Sequence, residues 1–235
     1  MSEDQLRDEI DAAIRRTPEG VSAELLQNIT AQIGTSLQPV KVLPPAWVLV
    51  TALVVSVVGA AAAGAGILGL FGIRAMSVSA ATAVLCSLAV FTVLAAASCV
   101  QLGIPGSGNW ARPSVLLATE ALGLVALFAA CFDNYGTEDF LAQGVRCLVA
   151  GLMQALPAAL LVALILRRCF ALDAVAAMLA RGTLAGLSGI IMLELHCARL
   201  QAPHLAIWHT AVLLVSAAIG FAMSGALSRL RRPVK

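Results

Sequence analysis

The chain has 235 residues, 60% of them hydrophobic and only 12% charged, with a formal net charge of +2. A soluble domain carries roughly 25% charged residues, so the composition excludes an ordinary soluble enzyme or binding domain and points to a membrane protein. So small a net charge is no basis for direct nucleic-acid binding, and what matters is where the charges sit.

Residues 1–46 are polar and contain no apolar core of a secretory leader, so no cleavable signal peptide is expected. Ser2 can cap a helix in which Leu6, Ile10 and Ile14 recur every four residues. Thr17-Pro18-Glu19-Gly20 interrupts it, and Leu25, Ile29 and Ile33 then predict a second short amphipathic helix. Two helices this small cannot bury a core of their own, so their apolar stripes need a membrane, the rest of the chain or a partner. Glu3, Asp4, Asp8, Glu9 and Asp11 argue against an anionic lipid surface. The groove of a partner protein fits better, a merely solvated tail being the plainer alternative.

A spanning helix needs about 20 largely apolar residues. Six such stretches follow, at about 47–71, 78–101, 113–132, 147–166, 174–194 and 206–228. The predicted fold class is therefore an all-α integral membrane protein, a six-helix transmembrane bundle. Its parts are a helical head (1–46), the bundle (47–228) and a basic tail (229–235). Trp47, Trp110 and Trp208 fall at span ends, where amphipathic rings prefer to sit. Span one has a small-residue surface (Gly59, Ala63, Gly64, Ala65, Gly66, Gly69) suited to helix packing, and Pro157 predicts a kink in span four. Glu120 and Arg181 lie at similar depth and are expected to pair, a proton relay being the alternative.

Gly186-Leu187-Ser188-Gly189 matches the G-x-S-G of rhomboid-type proteases. Ser188, however, lies toward the C-terminal end of its helix, where the dipole opposes an oxyanion. With no HExxH, nucleophile elbow or phosphate loop either, no enzyme is expected.

The basic residues orient the chain. With the N-terminus inside, twelve basic residues fall on the cytoplasmic side: Arg7, Arg15, Arg16, Lys41, Arg112, Arg167, Arg168, Arg181, Arg229, Arg231, Arg232 and Lys235. Arg74, Arg146 and Arg199 are left outside, a positive-inside bias that makes both termini cytoplasmic. Cys131, Cys147 and Cys197 then lie at the outer ends of spans three, four and five, with Cys86 mid-membrane and Cys99 and Cys169 toward the cytoplasm. All three histidines, His196, His204 and His209, fall on the outer side within residues 194–209. Thiolates with imidazoles suit soft or borderline metals, although buried cysteines also serve as small hydrophobes.

Several stretches resemble the NrsF family of membrane anti-sigma factors (negative regulators of sigma F). They are a short cytoplasmic head, Pro39-Val40-Lys41-Val42-Leu43-Pro44-Pro45-Ala46-Trp47 leading into span one, and six spans. Arg146-Cys147-Leu148 with Leu156-Pro157 and a following basic pair, and Leu195-His196-Cys197 followed by Pro203 and Ala206-Ile207-Trp208-His209, complete the likeness. The family pattern has Cys-Pro after the histidine, whereas here Cys197-Ala198 delays the proline to Pro203. The resemblance implies a regulator that holds an extracytoplasmic-function sigma factor at the bacterial inner membrane through residues 1–46. Metal or oxidative stress would release it.

The sensing pair so implied is Cys147 and Cys197; His196, His204, His209 and Cys131 are no part of the family's sensing pattern and are further ligand candidates by residue type and position. Leu6, Ile10, Ile14, Leu25, Ile29 and Ile33 would meet the sigma factor. No obligatory cofactor is expected, only a transient soft or borderline metal ion. A shared metal and a disulfide both remain open as the chemistry of the pair. A small metal or solute transporter is the rival function; it would predict paired broken helices near the midplane, whereas Pro157 has no counterpart in the other half.

Overall fold

In a computed structural model the chain divides into residues Met1–Val42 and Leu43–Lys235. The structure describes residues 27, 28, 31, 43–104, 106, 107 and 110–230, the last five by backbone alone. Gln27, Asn28 and Ala31 are helical, within the stretch read as the second amphipathic helix. Leu6, Ile10, Ile14, Leu25, Ile29 and Ile33 lie outside the described residues.

The second unit is built from α1 (Ala46–Leu68), a short α2 (Phe71–Ala75), α3 (Val78–Gly103), α4 (Pro113–Cys131), α5 (Phe140–Ile165) and α6 (Ala174–His196). A last helix follows in three parts: α7 (Ala202–His204), a π turn (Leu205–His209) and α8 (Thr210–Leu230). Among the described residues there is no strand, and six helices are long and apolar enough to cross a membrane. Asp173 caps α6 through its side chain, and Ser77 does the same for α3. α5 begins at Phe140, well before the apolar stretch read from sequence, because Arg146 does not interrupt helical geometry. Cys147 therefore lies about two turns inside the helix.

The peripheral helices bury one seam each, with residues four apart: Leu49, Leu53, Val57, Ala61 and Ala65 on α1, and Leu116, Glu120, Leu124 and Phe128 on α4. In α6 every side chain from Thr183 to Glu194 is buried, the behaviour of a helix surrounded by others. It packs against α1, α2, α3, α4, α5 and α8. Glycine allows that approach: a β-carbon at Gly182 would meet the Ser216 carbonyl at 2.5 Å, and one at Gly186 the Leu213 Cα at 2.9 Å. The small residues of α1 divide, Ala61, Ala65 and Gly64 facing the bundle while Gly59 and Gly66 meet nothing within 4 Å. Ser188 donates to the Val57 carbonyl at 3.0 Å, a contact between α6 and α1. Pro157 is accommodated inside an uninterrupted α5.

Glu120 and Arg181 do not form the expected pair. Glu120 is fully buried on the α4 seam with both oxygens unpartnered among the described residues, and Arg181 Nε is likewise unpartnered. Equal depth along two helices does not make two side chains face each other, and the α4 seam directs Glu120 along with Leu116, Leu124 and Phe128.

Candidate thiol–imidazole site

At the end of the bundle where α6 finishes, the chain turns out of the helix at Cys197 and enters α7 five residues later. This short link is pinned from two sides. Asn134 accepts the Ala202 amide on its carbonyl at 2.8 Å and forms an isolated bridge with Gln201. On the other side α2 lies so close that a β-carbon at Gly72 would run into the Glu194 carbonyl and come within 2.7 Å of the Cys197 carbonyl. Cys197 is thereby held against α5, with its Sγ 3.6 Å from that of Cys147.

The last helix supplies two imidazoles. His204 Nε2 is 3.8 Å from Cys197 Sγ, and the His204 and His209 rings meet edge-on with centroids 5.3 Å apart. Residues five apart on an α-helix stand about 140° apart around its axis, so this spacing would send the two histidines to different faces. The π turn over Leu205–His209 closes through i to i+5 bonds and returns them to one side, a device common at functional sites. One ligand-capable atom from each of Cys147, Cys197, His204 and His209 lies within 4.8 Å of the others.

The site is nearly dry: Cys197 is 8% exposed, His204 1% and His209 0%. Beneath it Glu194, 1% exposed, accepts a 2.6 Å hydrogen bond from His209 Nδ1. That bond leaves His209 Nε2 buried and unpartnered among the described residues. Cys197, just beyond α6, has its thiol pulled well below the usual range by the hydrogen bond with Cys147, and then by His204 and His209, against the opposing effect of burial. Phe128 covers the far side, edge-on to His209 at 6.4 Å.

Of the six candidates read from the sequence, the structure brings four together and sets two apart. His196 donates to the Gly69 carbonyl at 2.9 Å and packs on Phe71, tying the turn between α1 and α2 to the end of α6. Cys131 ends α4 against the apolar core. The sequence reading missed Glu194. An ionisable residue three before Cys197, at the end of an apolar span, was the available signal.

The model of the family described as negative regulator of sigma F matches residues 34–230, which contain all six spans and the four clustered residues. The chain belongs to this family. It is accordingly an anti-sigma factor, a membrane regulator whose partner is a sigma factor. No curated protein and no solved structure matches the chain.

Proposed function

We propose that this anti-sigma factor holds an extracytoplasmic-function sigma factor at the bacterial inner membrane through residues 1–46 and lets it go when metal or oxidant acts on Cys147 and Cys197. The observation that carries the reading is the thiol pair itself. Two sulfurs, one within α5 and one just past the end of α6, approach to 3.6 Å, in a mostly buried setting with imidazoles alongside and Cys197 biased toward thiolate.

Any chemistry that joins or separates these sulfurs acts on α5, the end of α6 and the last helix together, so a local event shifts the packing of three spans. To move a two-state protein from 1:99 to 99:1 takes about 5.5 kcal/mol of differential binding, and structural zinc sites supply about 10–16 kcal/mol, so a modest transmitted fraction suffices. The positive-inside distribution supports cytoplasmic termini, with the head on the side of the sigma factor and the thiols facing the oxidising compartment. The acidic amphipathic stretch around Leu6, Ile10 and Ile14 is the segment suited to a protein groove.

The test is affinity capture of the intact protein from its own cells, before and after cadmium or an oxidant. A sigma factor that co-elutes at rest and is lost on stress supports the reading. Capture without a sigma factor under either condition, or equal capture under both, overturns it. A chain lacking residues 1–46 should remain in the membrane and capture none.

A further inference from the structure

On the reading that the cluster is the sensor, its geometry bears on the ligand it takes. Sulfurs 3.6 Å apart are well beyond a disulfide bond of about 2.0 Å. Two thiolates bound to one tetrahedral zinc at about 2.3 Å stand about 3.8 Å apart, and a thiolate and an imidazole on the same ion about 3.6 Å. The observed separations, 3.6 Å between the sulfurs and 3.8 Å from Cys197 Sγ to His204 Nε2, are those of ligands around one ion. All four ligand atoms lie within 4.8 Å of one another, so no pair needs to close by more than about 1.5 Å.

The surroundings agree. A ligating histidine characteristically donates its second N–H to a carboxylate, which fixes the tautomer and turns the other nitrogen's lone pair outward. Glu194 does this to His209 through Nδ1, and Nε2 is the buried nitrogen left without a partner. A histidine serving only to pack would not need a buried carboxylate on one nitrogen and an orphan on the other. Two sulfurs and two nitrogens in a dry pocket suit a borderline-soft ion of tetrahedral habit, whereas calcium and magnesium require oxygen cages.

We propose that Cys147, Cys197, His204 and His209 form a tetrahedral site for one divalent ion of the zinc–cadmium class, with Glu194 as the residue that positions His209. The ion fastens α5 and the last helix to the end of α6.

The full-length protein in detergent, reduced and stripped of metal, is titrated with Co²⁺ as a spectroscopic stand-in and then with Zn²⁺. The expected result is thiolate-to-cobalt charge transfer with the intense ligand-field bands of a tetrahedral ion, saturating at one ion per chain and bleached by zinc. Cys197→Ser and His209→Ala abolish the bands, while His196→Ala and Cys131→Ala keep them. Glu194→Gln weakens binding about 10–100-fold without changing the band shape. Circular dichroism separates loss of the site from loss of the fold, and His204→Ala replaces any variant that unfolds.

A weak octahedral spectrum, or equal loss in His196→Ala and His209→Ala, overturns the proposal. Its failure is distinct from that of the stress-release reading. A sigma factor released by oxidant from a chain that binds no cobalt sinks the metal site alone. A cobalt site in a chain that never releases a sigma factor sinks the release.

Discussion

The bundle carries a pair of cysteines toward each end of α6, and the two pairs differ in what surrounds them. At the far end, Cys147 and Cys197 are within hydrogen-bond reach of each other, and Cys197 also of His204 Nε2, with His209 and Glu194 beneath. At the near end, Cys99 is 1% exposed among apolar side chains, and Cys169 packs so tightly on Gly103 that a β-carbon there would lie 2.8 Å from its own. Burial pushes the Cys169 thiol up, with Arg181 only partly offsetting it. The comparison teaches that burial alone makes a cysteine inert. At the far end hydrogen-bond partners favour the thiolate of Cys197 in spite of burial, the condition a reactive thiol requires.

The sharpest way to break the contrast is by substitution. Cys147→Ser and Cys197→Ser should each abolish stress-induced loss of the sigma factor in the capture assay, whereas Cys99→Ala and Cys169→Ala should release it as the parent does. Equal effects at the two ends would mean the stimulus enters elsewhere.

A second test uses pH. The thiolate is the nucleophile, so a thiol whose pKa lies above the working range loses reactivity about tenfold per pH unit on acidification, and one whose pKa lies below it does not. In metal-free protein, alkylation at Cys169 should therefore fall about a hundredfold from about pH 8 to 6 while that at Cys197 falls less steeply, as read by mass spectrometry. Because the slopes are compared and not the rates, differences in access cancel. Parallel slopes would remove the electrostatic distinction between the ends.

Smaller effects sharpen the structural side. A β-carbon at Gly189 would run into the Gly151 carbonyl where α6 meets α5, so Gly189→Ala should destabilise the bundle by about 1–3 kcal/mol, seen as a lower thermal midpoint. His196→Ala should cost the bond to Gly69 and the ring contact with Phe71, about 1–2 kcal/mol together, and leave the stress response intact. A lost response in His196→Ala would place that histidine back in the site.

Much of this was legible in the chain. Six spans could be read because crossing a bilayer demands about 20 consecutive apolar residues, a local property that needs no knowledge of neighbours. Cys147 and Cys197 could be singled out through the family pattern, and the three histidines through their crowding into residues 194–209. What could not be read is which histidines join the cysteines. His196 adjoins Cys197 in sequence yet turns to the α1–α2 link, while His204 and His209, seven and twelve residues on, come back to it.

Composition and apolar run length by themselves determined the membrane setting, the number of spans and the residue types available for chemistry, because each is settled within one segment. The assembly of the site was decided only by the tertiary structure. It depends on how deep Cys147 sits in α5, on Gly72 letting α2 press against the end of α6, and on a π turn that brings residues five apart to one face. It depends also on Glu194 reaching a histidine fifteen residues away. Each is an angle or a contact between segments, and no single segment carries that information.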